Sequence, residues 1–354
     1  MATRSKSAAD VMPRFIDVML VEHVEMLPKN TKTDNRWGYE PKVDGHRWQI
    51  HKDGRRVTVR TRNDKTPQLD DTVIKVQAQS IDADTAIIEG EVAAIDAKGS
   101  ITSWEALQGK HSTLAFFAFD CMYWNGRSLL HLPLVKRQET LAHIIRDTGL
   151  LLCAALPGSL KEIDRAVKAG GFEGIVAKDR NSPYRPGVRG FEWQAMPYTT
   201  EQEFVIGGYK PLGSHSLQSL LIGVYEGEQL MFCSQVEPGL NEYNRPQLRK
   251  VLQLIQGDAC PFVNLPTSER RSGARGRNRW ISGGVSREDM AEMHWTLPRV
   301  LAVVSYREWL KSGLLRHPTF KRMRTDKLAS DVVRERRPTS RKPGNHKPSA
   351  RRAK

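Results

Sequence analysis

Short apolar segments bounded by turn residues recur along this chain of 354 residues, and they decide its class of fold. Residues 85–95 (TAIIEGEVAAI) and 113–124 (TLAFFAFDCMYW) have the length and the β-branched and aromatic content of strands. Residues 134–149 show helical spacing, and a capping box at Ser159 opens a further short helix. We therefore expect a first domain that combines strands with helices.

The pattern changes at about residue 203, where helical signals become rare. Four further segments are typical of strands, namely residues 203–209, 219–227, 229–236 and 299–306. A single helical stripe of apolar residues runs from Leu248 to Ile255. Several short strands with one helix fit a small, partly open barrel. A second domain is expected from the length as well, and we place the boundary between residues 197 and 200.

The chain is strongly basic, with 55 Lys and Arg against 40 Asp and Glu. Residues 331–354 contain nine of these cations and almost nothing apolar, which predicts a disordered basic tail. A second cluster lies among Ser and Gly residues and predicts an exposed loop; its members are Arg270, Arg271, Arg275, Arg277 and Arg279. Neither region is amphipathic, so both favour a nucleic-acid partner over a membrane, although the tail could also act only as a solubilising segment.

Several classes of protein are disfavoured by what the sequence lacks. No segment approaches the about 20 apolar residues that span a bilayer, and the N-terminus has no apolar core of a secretion signal. The four cysteines are scattered without a C-x-x-C pair, which argues against a disulfide framework and a structural zinc site. We expect a soluble, cytoplasmic protein.

The most specific local motif is EPKVDGHR, residues 40–47. It contains Lys42 and Arg47 around an Asp-Gly turn, and it precedes a predicted strand. A lysine acts as a covalent nucleophile when its amine loses a proton, and neighbouring cations or desolvation lower the lysine pKa enough for that. A surface turn is the alternative explanation of the motif by itself.

Other charged and aromatic residues follow in order at the ends of predicted strands. They are Arg62, Glu89 and Glu91, Phe119, Glu173 and Lys178, and finally Arg324 and Lys327. Glu89 and Glu91 are two residues apart, so they lie on one face of their strand. Each residue alone has an ordinary explanation, as a solvated strand end, a surface arginine or a core phenylalanine. Their joint order points to a site.

In this order the motifs resemble those of the covalent nucleotidyltransferases, which are ATP-dependent DNA ligases, RNA ligases and mRNA capping enzymes. FVIGGYKP (204–211), HWTLPRVLAVVSYREW (294–309) and GLLRHPTFKRMRTDK (313–327) are similar to the ligase domain of bacterial end-joining DNA ligases, of the ligase D and ligase C type. The resemblance covers residues 14–328. It implies an α+β fold in which a nucleotidyltransferase (adenylation) domain of antiparallel sheets with helices precedes an OB-fold β-barrel.

The domain limits implied in this way are residues 14–198 for the nucleotidyltransferase domain and 199–330 for the OB fold. Residues 1–13 are expected to be flexible. The resemblance also implies an ATP-dependent DNA ligase that forms a lysyl-AMP intermediate on Lys42. Its cofactors would be ATP as the AMP donor and Mg²⁺ or Mn²⁺. Its partners would be nicked or broken double-stranded DNA and a Ku-type end-binding protein, and we expect a nucleoid-associated monomer without a membrane partner.

The resemblance assigns roles to the matching residues. The nucleotide-binding residues would be Glu40, Arg47, Arg62, Glu91, Phe119, Lys178, Arg324 and Lys327. Phe119 would stack on adenine, and Arg47 and Arg62 would contact the AMP sugar and the nick phosphate. Arg324 and Lys327 would orient the pyrophosphate leaving group. Glu173 is the expected metal ligand, and Glu91 would hold either the metal or the ribose. The basic loop and the tail would help to hold DNA.

One segment departs from the family pattern. Members of the family carry W-x-K-x-K after an R-x-G-x-R stretch, with both lysines facing the phosphates. Here Arg185 and Arg189 preserve the first stretch, but Ala195 and Pro197 occupy the two lysine positions. The loss of two cations beside a phosphate is expected to cost several kcal/mol of transition-state stabilisation unless other cations replace them.

Two alternatives to a DNA ligase stay open from the sequence alone. The first is an RNA ligase or a GTP-using capping enzyme, since both share the covalent lysine chemistry. The second is a nucleic-acid-binding scaffold that has become impaired in ligation through the changes at Ala195 and Pro197. An NAD-dependent ligase is disfavoured, because the chain has no zinc-type cysteine cluster.

Overall fold

In a computed structural model of the chain, the structure describes residues 11–102, 104–107, 112–265, 284–324 and 326–335. The contacts divide the chain into two units, Met1–Tyr198 and Thr199–Lys354. Within the described ranges, no helix has the length and apolar character needed to cross a membrane.

The first unit contains ten strands and four helices among its described residues. The strands are β1 (Leu20–His23), β2 (Trp37–Pro41), β3 (His46–Asp53), β4 (Arg56–Thr61), β5 (Thr85–Ile95), β6 (Thr113–Trp124), β7 (Arg127–Ser128), β8 (Leu151–Leu152), β9 (Gly174–Asp179) and β10 (Arg189–Pro197). The helices are α1 (Thr72–Gln79), α2 (Trp104–Leu107), α3 (Leu134–Ile144) and α4 (Leu160–Ala169).

These strands form two sheets. One has the order β1-β10-β9-β2, in which β1 runs parallel to β10 and the other pairs are antiparallel. The other has the order β4-β3-β5-β6-β7, with β8 added parallel to β6. The two predicted strands at 85–95 and 113–124 are confirmed as β5 and β6, which pair with each other. Their apolar side chains pack with helices α1 and α3 in one buried cluster.

The helices follow the sequence signals with one difference. Helix α4 begins with the predicted capping box, in which Ser159 and Glu162 bond each other's backbone amides, and it buries Ile163 and Val167. Helix α3 ends at Ile144, before the predicted end at residue 149. The Thr148 hydroxyl donates to the Ile145 carbonyl (2.7 Å) in a turn that replaces the last helical residues.

The second unit is built mainly from antiparallel strands. The strands are β11 (Thr200–Leu212), β12 (Ser216–Glu226), β13 (Gln229–Val236), β14 (His294–Trp295), β15 (Leu301–Tyr306), β16 (Glu308–Trp309), β17 (Leu315–Arg316) and β18 (Thr319–Arg324). The helices are α5 (Asn244–Gln253), α6 (Arg287–Met290) and a short 3₁₀ helix (Ala329–Asp331).

The sheet of the second unit has the order β13-β12-β11-β15-β18, and β14 pairs with β11. The predicted hairpin between β12 and β13 is confirmed, and Gly227 in its turn has a φ of +62°. Over the described residues the sheet does not close into a barrel, because β13 and β18 at its two ends do not pair with each other. This agrees with the partly open barrel that the sequence predicts, and the described strands form no closed barrel.

The first residues of the predicted disordered tail are ordered. Val332 is buried, with 2% of its surface exposed, and its carbonyl accepts a hydrogen bond from the Tyr225 amide (2.7 Å). The Gln202 side chain donates to the Val333 carbonyl (3.0 Å). The expectation of disorder from residue 331 is therefore wrong for residues 331–335, because Val332 supplies apolar surface that the second unit buries and the neighbouring backbone is hydrogen-bonded to it. The rest of the predicted tail lies outside the described residues.

Candidate active site

Lys42 follows the last residue of β2, at the point where that strand meets the start of β9. The Lys42 amide donates to the Gly174 carbonyl (2.8 Å), and the Glu173 amide donates to the Lys42 carbonyl (3.0 Å). A side chain at Gly174 would place its Cβ 2.3 Å from the Met196 carbonyl oxygen, so only glycine fits there. The backbone therefore fixes Lys42 opposite Glu173, although 131 residues separate them in sequence.

The Lys42 ammonium donates a hydrogen bond to the Glu173 carboxylate. The Lys42 side chain is 24% exposed and that of Glu173 is 7% exposed, so the pair lies at the edge of the interior. A carboxylate that accepts a hydrogen bond from an ammonium favours the charged form of the amine. The amine must give up that proton before it can act as a nucleophile.

A cavity of about 440 Å³ opens beside Lys42 in the first unit. The predicted nucleotide-site residues of this unit all line it, and they are Glu40, Lys42, Arg47, Arg62, Glu91, Phe119 and Lys178. The wall also includes residues that the sequence did not single out as binding residues, among them His23, Trp48, Cys153 and Trp193. The structure thus brings together residues from eight strands and their adjoining loops.

Glu40 and Lys178 form a buried ion pair at the inner end of the cavity. Lys178 Nζ lies 2.7 Å from Glu40 Oε2, and the two side chains are 4% and 3% exposed. Burial raises the pKa of Glu40, while Lys178 opposes that rise. Gln138, on α3, donates both to Glu40 Oε1 (2.7 Å) and to the Phe119 carbonyl (3.1 Å). No sequence pattern indicated Gln138, because a glutamine on an amphipathic helix is usually a surface residue.

The Phe119 ring is in contact with cations as well as with aromatic residues. Lys178 Nζ lies 4.2 Å from its centroid, and the Arg47 guanidinium carbon lies 5.4 Å from it. Trp193 packs edge-on against Phe119, with the centroids 6.2 Å apart. A flat aromatic surface next to fixed positive charge suits a purine that carries phosphates.

Arg47 is held in place by Glu89. Its Nε and Nη2 atoms donate to the two Glu89 oxygens, each at 2.8 Å, and the Tyr184 hydroxyl donates to the same carboxylate at 2.8 Å. Burial opposes the charge on Arg47, but Glu89 more than offsets it and the pKa of Arg47 is raised. Sequence reasoning noted Glu89 only as a neighbour of Glu91, and their shared strand face was the signal that could have identified it.

Glu91 also lines the cavity. Burial raises the pKa of Glu91 to about 8, and Asp44 adds to the rise while Arg47 opposes it. No group of three or more His, Cys, Asp or Glu side chains forms a metal cluster in the part of the chain that the structure describes. A magnesium ion that is bound mainly by phosphates and water needs only one or two carboxylates. Glu91 lines the cavity and supplies one, and Glu173, which does not line it, contacts Lys42 at its wall.

Arg62 lies at the mouth of the cavity and is exposed. Its amide donates to the Arg47 carbonyl (2.9 Å), which fixes the start of its side chain beside that residue. Partial desolvation of its guanidinium, followed by the charges of Arg47 and Arg189, lowers the pKa of Arg62. Within the described ranges, no carboxylate forms an ion pair with it.

Ala195 and Pro197 lie on β10, on the same face as Trp193. Ala195 is fully buried and pairs with Val176 of β9, and Pro197 pairs with Gly174. The two positions therefore lie next to the cavity wall, as the family pattern implies, but they carry no charge.

The predicted residues of the second unit are joined by Glu203. Arg324 donates to one oxygen of this carboxylate, and Lys327 donates to the other at 2.6 Å. The Lys327 ammonium lowers the pKa of Glu203. Arg324 also binds Asp326 through two hydrogen bonds of 2.6 and 3.0 Å. The five predicted DNA-binding arginines between Arg270 and Arg279 lie outside the described residues.

Comparison with known proteins identifies the two parts of the chain separately. The family model described as "ATP dependent DNA ligase domain" matches residues 18–196. The model described as "ATP dependent DNA ligase C terminal region" matches residues 213–327. Both descriptions support a DNA ligase over an RNA ligase or a capping enzyme.

Curated relatives and solved structures agree with these matches. The multifunctional non-homologous end joining DNA repair protein LigD of Mycobacterium tuberculosis is 29% identical over 307 residues, which are 85% of this chain and 38% of that protein. LigD of Mycolicibacterium smegmatis is 27% identical over 340 residues, 95% of this chain and 42% of that protein. This chain thus spans less than half the length of these relatives.

Among solved structures, the ligase domain of M. tuberculosis LigD has a TM-score of 0.51 and 28% identity, and the match covers 92% of this chain and 100% of that domain. Mycobacterial DNA ligase D complexed with ATP and MES has a TM-score of 0.52 and 27% identity, with the same coverage. The fold is therefore that of a ligase nucleotidyltransferase domain followed by an OB-fold domain.

Proposed function

Because the chain belongs to the ATP-dependent DNA ligase family, we propose that it joins breaks in duplex DNA through a covalent adenylate on Lys42. The observation that carries this proposal is the position of the Lys42 amine. It lies beside Glu173 at the wall of a cavity in which Arg47, Lys178 and Phe119 also meet.

The reaction consists of three phosphoryl transfers. First, the unprotonated Lys42 Nζ attacks the α-phosphorus of ATP; a P–N bond forms, and the bridging oxygen leaves with its electron pair as part of pyrophosphate. Next, an oxygen of the 5′-phosphate at the break attacks the same phosphorus, and the P–N bond breaks to return the amine. Last, the 3′-hydroxyl attacks the activated 5′-phosphorus, loses its proton and releases AMP.

The residues of the cavity suit these steps. The Glu173 carboxylate accepts the hydrogen bond of the Lys42 ammonium, so it is in position to receive the proton that the amine must lose. Arg47 is held by both oxygens of Glu89, and it supplies a fixed positive charge where phosphoryl oxygens gain charge. Glu173 and Glu91 would hold Mg²⁺ or Mn²⁺, which when bound stabilises negative charge on the phosphates.

The first test is to label the protein covalently. Wild-type protein is incubated with ATP labelled on the α-phosphate and with Mg²⁺, denatured, and digested for mass spectrometry. We expect one AMP per chain, on the peptide that contains Lys42. When the labelled protein is transferred to unlabelled nicked DNA, the label should move to the 5′-phosphate before the strand is sealed.

The controls separate this chemistry from simple binding. ATP labelled on the γ-phosphate should leave no label on the protein, because that phosphate departs with pyrophosphate. A nicked RNA duplex should accept less AMP than nicked DNA. Stable AMP on another residue, or none at all with either metal, would contradict the proposal. Label that never passes to DNA would indicate instead a scaffold that has lost ligation.

A second prediction concerns Gln138. In Gln138→Leu we expect the KM for ATP in adenylate formation to rise about 10-fold, because the Glu40 carboxylate and the Phe119 carbonyl each lose a donor, at about 1–3 kcal/mol in total. Initial rates of label uptake at several ATP concentrations measure this. Glu139→Gln, on the next residue of α3, should leave the KM unchanged, and an unchanged KM in Gln138→Leu would show that Gln138 does not support the nucleotide site.

The biological setting follows from the relatives. We propose that the chain acts in non-homologous end joining, since the LigD proteins that it resembles are named for that process. A Ku-type end-binding protein as partner, and a cytoplasmic, nucleoid-associated location, are proposed on the same resemblance. Joining of blunt and cohesive DNA ends with and without such a protein would test the partnership; no stimulation would count against it.

A further inference from the structure

Ala195, one of the two positions of β10 that lack the family's lysines, has a basic neighbour on the adjacent strand. Strand β1 runs parallel to β10, and His23 pairs with Ala195 in the register of the two strands. The Val24 amide donates to the Ala195 carbonyl (3.0 Å), which extends this pairing by one residue. Side chains at paired positions project from the same face of a sheet. His23 therefore projects where the missing lysine of position 195 would, and it lines the cavity.

Two other cations, one of them in the cavity wall, are already paired. Lys178 lies 2.7 Å from Glu40 and is 4% exposed. Arg185 lies 3.2 Å from Glu192. Their charge is therefore largely satisfied within the protein, and neither is the best replacement for the missing lysines.

Arg189 and Arg62 differ from those cations. Arg189 donates to the carbonyl of Val21, a residue of the cavity wall, and it pairs with Leu20 at the start of β1. In the described part of the chain, neither arginine forms an ion pair with a carboxylate. The charge of Arg189 acts on His23 and on Arg62. After desolvation, it is the next cause that lowers the pKa of His23, and it contributes to the lowered pKa of Arg62. His23 and Arg62 thus line the cavity, and Arg189 adds positive charge beside its wall at Val21.

We propose that His23, Arg62 and Arg189 form a phosphate-binding subsite at the mouth of the cavity, which takes over the task of the lysines absent at positions 195 and 197. The inference rests on the proposed function. Its ligand is a phosphate group of the substrate, from ATP or from the 5′ end of the broken strand. An excess of basic groups without carboxylate partners is what such an anion requires.

Phosphate binding at this subsite is coupled to the uptake of a proton by His23. Desolvation of the ring is the largest cause that lowers the pKa of His23. The charge of Arg189 on β10 lowers it further, and Glu22, the preceding residue of β1, opposes the fall. Arg62 lines the same cavity and adds positive charge. The free imidazole is therefore mainly neutral at neutral pH. A bound phosphate favours the imidazolium, so His23 takes up a proton when the phosphate arrives, and the reaction that needs this form slows as the pH rises.

The test uses His23→Ala and His23→Lys in the full chain, with His131→Ala, an exposed residue outside the cavity, as the matched control. Two single-turnover rates are measured: adenylate formation from ATP, and transfer of AMP from the preformed adenylate to nicked DNA. We expect His23→Ala to slow at least one of them about 100-fold. His23→Lys should retain most of the rate and lose the decline with rising pH, which a purely structural role of His23 would not change.

Each outcome decides the inference. Slowing of adenylate formation alone assigns the subsite to ATP, and slowing of transfer alone assigns it to the 5′-phosphate. Normal rates and an unchanged pH profile in both variants would overturn it. A wild-type protein that forms no adenylate would reject the proposed function instead.

A binding measurement covers the case in which the variants do not fold. The ring signals of His23 are followed by NMR in the wild-type protein as pH is varied, with nicked DNA that does or does not carry the 5′-phosphate, and with ATP. The pKa of His23 should rise with at least one phosphate ligand and not with the unphosphorylated nick. If no phosphate ligand raises it, the subsite does not exist.

Discussion

Lys42→Arg is expected to form no detectable adenylate, a loss of more than about 1,000-fold, while it still seals a nick whose 5′-phosphate has been adenylated beforehand. Arginine keeps the positive charge beside Glu173, but its guanidinium does not lose a proton at any working pH and cannot attack the α-phosphorus. The measurement is label uptake from α-labelled ATP, together with the rate of strand closure on pre-adenylated DNA.

The division between these two activities is the informative part of the result. Closure needs the cavity to hold the AMP and the 5′-phosphate, and the contacts of Arg47 and Lys178 that serve this purpose do not involve Lys42. We therefore expect closure to fall by no more than about 10-fold. Lys161→Arg, on the exposed start of α4, is the matched control and should resemble the wild type. Adenylate formation by Lys42→Arg would show that another residue is the nucleophile.

The individual parts of the site were predictable, but their pairing was not. The strands at 85–95 and 113–124 could be recognised from their apolar content, and Lys42, Glu91 and Phe119 could be recognised from motif order. The contact of Lys42 with Glu173 depends on the pairing of β2 with β9, which no local pattern specifies. Long-range strand pairing is decided by the packing of the whole sheet.

The same reason explains which residues were missed. Glu89 and Glu91 share a strand face, and the motif resemblance pointed to Glu91. In the structure, however, Arg47 donates both of its hydrogen bonds to Glu89. His23 could be recognised only from the register of β1 against β10, which places it beside Ala195. In the second unit, the short strands and a partly open barrel were predictable. The strand order β13-β12-β11-β15-β18 was not, because long-range strand pairing does not follow from local composition.

Replacing Arg137 is expected to cause the largest loss of stability among the single changes considered. Arg137 and Asp120 are both fully buried, and two hydrogen bonds of 2.8 and 2.9 Å join them. Arg137 also donates to the carbonyls of Leu132 (2.6 Å) and Ser182 (3.0 Å). Arg137→Ala leaves the buried Asp120 carboxylate without its cation and removes a donor from each of the two carbonyls, although that of Ser182 still accepts from the Leu134 amide (2.9 Å). We therefore expect the free energy of unfolding to fall by about 3–5 kcal/mol. Urea denaturation of the full chain, followed by circular dichroism, measures this.

The effect should come from the unpaired charge more than from lost packing. Arg137→Met combined with Asp120→Leu removes both charges, so it should be less destabilised than Arg137→Ala, because no buried carboxylate is left without a cation. Lys136→Ala, one residue away, breaks only an exposed pair with Glu139 and should change the free energy by less than about 1 kcal/mol. Because Asp120 follows Phe119 directly, Arg137→Ala should also weaken ATP binding. In the double variant, the affinity for ATP should recover by a smaller fraction than the free energy of unfolding does. Equal stability of Arg137→Ala and the wild type would mean that water reaches Asp120. It would also mean that the Arg137–Asp120 ion pair does not stabilise the packing of α3 on β6.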